Sequence, residues 1–109
     1  MIVVDELVPC LPNRQWRHNQ SCHLTCGPGE VDELHAFALS IGLRRSWFQP
    51  RKECPHYDLT KGMRAQAVAA GAVQVDRLEL VAIMHAWRQS NSETRTVGVP
   101  QLELALVNQ

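Results

Sequence analysis

Met1-Ile2-Val3-Val4-Asp5-Glu6 opens the chain with three β-branched residues in succession, closed by two acids. An unbroken apolar run of this kind reads as a short strand buried on both faces, the pattern of a parallel sheet covered by helices. Ligands gather at the carboxyl ends of strands in such sheets, so Asp5 becomes a candidate binding residue. The remaining elements arrive as strand, helix, helix, strand and helix, an order that favours an α/β domain over a helical bundle.

The second strand is expected at Cys22-His23-Leu24-Thr25-Cys26, ended by Gly27-Pro28-Gly29. Before it, residues 9–21 carry two prolines, two asparagines and three basic side chains and read as loop, with Trp16 as its anchor to the core. The spacing of Val31, Leu34, Ala38 and Ile41 predicts a helix over 30–41, with acids in the first turn and Gly42 as the residue that stops it. On a helical wheel His35 falls inside the apolar arc, where it either braces the core or points into a cleft. A basic connection follows, containing Trp47-Phe48-Gln49-Pro50. Its aromatic pair reads as a plug at the end of the core, or, beside the arginines, as a surface on which a flat ring could stack.

Thr60 is placed to cap a helix over 61–70 that Gly71 closes, and Ala72-Val73-Gln74-Val75 reads as a third strand. Asp76 and Glu79 form a capping box for a helix over 77–89 that is apolar on nearly every side, so it is either central or covered by another subunit. Residues 89–93 read as a polar linker. Leu102, Leu104 and Leu106 alternate with polar neighbours, as an amphipathic terminal strand would.

Composition bounds the function. The 109 residues are enough for one domain, and 45% hydrophobic with 20% charged residues is ordinary for a folded protein. Eleven basic residues balance eleven acidic ones, so net charge gives no indication of nucleic-acid binding. Local groups such as Arg14/Arg17/His18 and Arg44/Arg45/Arg51/Lys52 are either solvated loops or anion sites. No apolar run approaches the roughly 20 residues of a membrane span, and the start lacks a basic segment leading into a signal core. A cytoplasmic location is expected. In that compartment Cys10, Cys22, Cys26 and Cys54 would be free thiols or metal ligands rather than disulfides.

The chemistry concentrates in Cys54-Pro55-His56-Tyr57-Asp58-Leu59-Thr60. If the segment is extended, His56 and Asp58 share one side and Tyr57 turns to the core. Imidazole and carboxylate are the usual groups for proton transfer near neutral pH, which makes His35, His56 and Asp58 the candidate catalytic residues. Arg64, one helical turn beyond Thr60, would meet an anion there. The competing reading is a hydrogen-bonded turn that staples loop to helix. Two metal readings are open. Cys22, His23, Cys26, Cys54 and His56 offer nitrogen and sulfur ligands, but not at the spacing of a finger or ribbon. Asp5 and Asp58 with a histidine could hold a hard cation, but the acids are scattered along the chain. No metal ligand is therefore assigned, and the cofactor is left unknown.

Taken in order, Cys22-His23-Leu24, Glu33 to Ala38 with Ile41-Gly42-Leu43, Trp47-Phe48-Gln49, Pro55 to Thr60 and Arg64 through Gly71-Ala72-Val73 form a set that resembles a known family. It is the group of small bacterial and phage proteins catalogued as domain of unknown function 4031, and the likeness spans roughly residues 1 to 80. The resemblance implies that His23, His35, His56, Tyr57, Asp58 and Arg64 belong to one set, without implying that the set is catalytic. The chain departs from the family pattern near Cys26-Gly27-Pro28-Gly29, where an acidic residue is expected.

The expectation is thus a small α/β domain over residues 1–90 with a short, mainly parallel sheet and three helices, and a 91–109 extension with a strand. The alternative is an α+β arrangement. For function the sequence leaves two readings open. One is a hydrolase-like or nucleotide-handling protein with His35, His56 and Asp58 in one cleft, Asp5, His23, Tyr57 and Arg64 binding ligand, and a small anionic molecule as partner. The other is a non-catalytic binding or regulatory protein, phage-borne or bacterial, that works as a homodimer or on a host partner. Whether the chain is an enzyme is undecided at this level.

Overall fold

The computed structural model describes residues 1–98, with side chains described through residue 92. Five strands form one sheet: β1 (Ile2–Val4), β2 (Val8–Pro9), β3 (Gln20–Cys26), β4 (His56–Leu59) and β5 (Val73–Gln74). The helices are α1 (Val31–Ser40), α2 (Lys61–Ala69) and α3 (Arg77–Gly98), and a single 3₁₀ turn lies at Arg45–Trp47.

β3 organises the sheet because it is long enough to pair on both edges. On one edge its C-terminal half pairs with β1 and its N-terminal half with β2. On the other edge Cys22 to Thr25 pair with β4 in the register Cys22↔Leu59, His23↔Asp58, Leu24↔Tyr57 and Thr25↔His56. These three pairings are antiparallel, and only β1 with β5 is parallel. The domain is α/β as expected, but the sheet is mostly antiparallel rather than mainly parallel. The buried run of β1 was a sound guide to its central place and a poor one to direction. Burial on both faces suits any inner strand, and the long 27–55 connection can return in either sense.

Alternation along β3 and β4 divides the sheet into two unlike faces. Cys22, Leu24, Cys26, Tyr57 and Leu59 join Val4 and the helix residues Leu34, Ala38 and Ala67 in one buried cluster, completed by Leu43 and Ala72. Both α1 and α2 therefore lie on that side. His23, Thr25, His56 and Asp58 point to the other.

Helix ends follow their local chemistry. Gly42 and Gly71 take positive φ (90° and 112°), a region that costs glycine nothing. Each is followed by a buried residue whose N–H reaches back into the last turn, Leu43 to Ala38 O and Ala72 to Ala67 O, both at 2.9 Å. Thr60 Oγ1 accepts the Met63 N–H at 3.2 Å to start α2. Asp76 and Glu79 exchange the two hydrogen bonds of a capping box at the head of α3. That helix runs through residues 89–93, which the polar composition had marked as a linker. Trp87 Nε1 donates to Cys26 O at 2.8 Å, and Asn91 Nδ2 to Lys52 O at 2.9 Å, so α3 is tied to the end of β3 and to the loop before β4. The expected strand at 102–106 lies outside the described residues.

Candidate functional site

The face turned away from α1 and α2 carries the polar cluster. Asp5 follows β1 directly, and its N–H continues the ladder to His23 O. Its buried carboxylate then grips His23 twice: Oδ1 accepts the His23 N–H at 2.6 Å, and Oδ2 lies 2.7 Å from Nδ1. A carboxylate can only accept, so the imidazole proton is held on Nδ1 and the lone pair on Nε2 is left free.

His56 is fixed in the same manner. Its Nδ1 lies 2.6 Å from the Cys54 carbonyl oxygen, which puts a proton there, and its Nε2 faces Asp58 Oδ1 at 3.4 Å. The two imidazoles meet edge to face with ring centres 4.7 Å apart. Gln49 and His56 exchange main-chain hydrogen bonds, and this bridge aims the Gln49 amide to donate to Asp58 Oδ2. Burial of His56 works against its charged form. Hydrogen bonds to Asp58 and Cys54 outweigh that cost and push the imidazole up to about 10. The same contact with His56, aided by Gln49 and the nearby His23, holds the Asp58 carboxyl below its ordinary range.

One donor atom each from His23, His56 and Asp58 lies within 4.8 Å of the others. Typical metal–nitrogen and metal–oxygen distances of about 2.0 to 2.2 Å place two ligands of one ion roughly 3 to 4.4 Å apart, so a slight closure of this trio would hold an ion. Two imidazoles and one carboxylate suit zinc or another first-row metal better than magnesium or calcium.

Of the residues singled out in the sequence, Asp5, His23, His56 and Asp58 come together. Tyr57 and His35 do not join them. Tyr57 is fully buried on the helical side of the sheet, with its hydroxyl 2.9 Å from His35 Nδ1. His35 also meets the ring of Phe48 edge-on at 4.5 Å. Burial first, then Arg45, depresses the basicity of His35, and burial raises the Tyr57 phenol. The sheet thus separates His35 from His56. Arg64 Nε donates to the main-chain oxygen of Asp5 at 2.8 Å and so fastens α2 to the end of β1. The mixed cysteine–histidine set is split as well. Cys22 and Cys26 face the helices, on the other side of the sheet from His23 and His56, and burial there pushes their thiols up to about 12 and about 11.

Gln49 lies in a segment that reads from the sequence only as a basic connection. No local signal marks it, because its role depends on a bridge to a strand seven residues away.

Fold and cluster together define a small α/β domain with a histidine–aspartate cluster on the sheet face opposite α1 and α2. Comparison with known families matches residues 2–87 of the 109 to the one described as "Protein of unknown function (DUF4031)". The chain belongs to that family. No curated protein and no solved structure matches it. Among the described residues no helix is long and apolar enough to cross a membrane.

Proposed function

We propose that the chain is a hydrolase-like enzyme built around a single transition-metal ion held by His23, His56 and Asp58. The observation that carries this reading is the fixing of both imidazoles through Nδ1, one to a carboxylate and one to a carbonyl, beside a carboxylate that is itself held by an amide. Metal-binding histidines are oriented by partners of this kind, and the ion would take the place of the proton that His56 Nε2 holds toward Asp58. Three protein ligands leave room for water and substrate, as catalytic rather than structural centres do. A bound ion would supply an acidified water and polarise a carbonyl or phosphoryl oxygen. Asp5 sets the tautomer and angle of His23, and Gln49 sets the angle of Asp58. An ion of charge +2 would be balanced by the carboxylates of Asp58 and, behind His23, of Asp5, so the centre itself would carry no net charge.

Metal-depleted protein titrated with cobalt(II) tests the reading. Uptake of one equivalent with ligand-field absorption of a nitrogen/oxygen site is expected, and it should be lost in His23→Ala and Asp58→Ala variants that keep their circular dichroism. Uptake that survives both substitutions sinks the proposal.

A second reading, a non-catalytic protein that works as a homodimer, draws support from α3. Leu78 and Val81 stand 79% and 42% exposed on the same helical face as the exposed Ala82 and His85. Sedimentation equilibrium should then give a dimer that Leu78→Lys dissociates; a monomer at all concentrations excludes it.

A further inference from the structure

Beside the polar cluster lies an open cleft of about 960 Å³, and Asp58 belongs to both. One wall is the segment that carries Arg14, Trp16 and Arg17; the other carries Trp47 and Phe48. The first wall is ordered rather than loose. Asn13 Oδ1 accepts the N–H groups of Gln15 and Trp16, both at 2.8 Å, and the Trp16 indole donates to Gln20 O at 3.2 Å. On the second wall Trp47 is half-exposed, and guanidinium groups lie over both aromatic rings, Arg44 over Trp47 at 5.8 Å and Arg45 over Phe48 at 5.0 Å.

The charge of this cleft is unlike that of the chain. Among the described residues Asp58 is its only acid, already engaged by His56 and Gln49, whereas Arg14 and Arg17 form no ion pair. A net-neutral chain has thus collected cationic groups and flat aromatic surface in one concavity, which shares Asp58 with its candidate metal centre. Aromatic faces take bases irrespective of sequence, and guanidinium groups take phosphates in fixed two-pronged geometry. The volume suits a single small ligand rather than a folded duplex.

We infer that the substrate of the centre is a nucleoside phosphate, its base stacked on the tryptophan-lined walls, its phosphate drawn by Arg14 and Arg17, and its ester directed to Asp58 and the histidines. The inference rests on the hydrolytic metal reading given above. In the reaction it assigns, a water oxygen bonds to phosphorus and the bond from phosphorus to the leaving oxygen breaks. One water proton ends on the leaving oxygen and the other stays on the phosphate.

Adenosine 5′-monophosphate serves as the probe, with adenosine and inorganic phosphate as its two halves, titrated by calorimetry into cobalt-loaded full-length protein. The nucleotide is expected to bind at least about tenfold more tightly than either half. Replacing both arginines (Arg14→Gln with Arg17→Gln) should weaken the nucleotide about tenfold and leave adenosine unchanged, while Trp47→Ala should weaken both. All three side chains are exposed or line the cleft, so folding is expected to survive and is checked by circular dichroism. Nucleotide binding indifferent to these substitutions, or no binding to protein shown to hold its cobalt, overturns the inference and leaves the metal reading in place. Protein that takes up no cobalt fails at the earlier step, so the two failures are told apart in one sample.

Discussion

Asp5 acts in the proposed centre through His23. Its two oxygens are spent on His23, one on the backbone and one on the ring, so Asp5→Asn should keep the shape and lose the tautomer preference. We expect cobalt affinity to fall by roughly 10- to 100-fold with little change in thermal midpoint, as for other groups that orient metal-bound histidines. An unchanged affinity would make Asp5 a purely structural strand end. His35 answers to a different constraint. Its folded-state basicity is depressed below the ordinary 6.5, so below that value the unfolded chain binds the proton more readily than the folded one. Stability should therefore decline as pH falls from about 6.5 through the depressed folded value, and His35→Gln should show a smaller loss of thermal midpoint between about pH 7 and pH 5 than the wild type. Equal losses in both proteins would remove His35 from the account. The sequence could place His56 with Asp58, because a period of two is a local property. It could not assign His35, because a helical wheel gives the direction of a side chain and not the sheet face waiting there.

At the scale of elements, helix ends were the most legible feature, since their chemistry is written within four residues. Thr60, Gly42, Gly71 and the Asp76–Glu79 pair all act where the sequence put them. Thr60→Ala should cost about 1 kcal/mol, read as a lowered denaturant midpoint with unchanged slope, because α2 has only nine residues and one side-chain cap. A change of a few tenths would mean that the packing of Ala67 on the sheet, and not the cap, sets the start of this helix. Strand direction was the least legible feature. His56-Tyr57-Asp58-Leu59 alternates polar with apolar and so signals a half-buried strand, yet nothing in those four residues states that β3 runs the opposite way beside it. Direction is fixed by connections of many residues whose path no local rule gives. The basic loop around Arg14 was likewise readable as an anion site or as a solvated turn, and only the structure places it across a cleft from Trp47.

For the molecule as a whole, the family match ends at residue 87, and every residue of the proposed centre and cleft lies before that point. The last matched residue, Trp87, is the one whose indole bonds to the end of β3, so the shared unit closes where α3 is pinned to the sheet. Core and chemistry are drawn from alternate residues of the same two strands, β3 and β4. A substitution at His23 or Asp58 leaves Leu24 and Tyr57 where they are, so the proposed centre can change while the scaffold persists. An insertion has no such freedom. One residue added after Cys22 would carry His23 and Thr25 into the apolar layer and Leu24 and Cys26 out of it. Such a variant should yield no soluble folded protein, whereas the same residue added in the exposed 11–15 segment should be accepted. Natural variation in this domain is therefore expected to proceed in β3 and β4 by exchange of letters alone, with length changes confined to the loops.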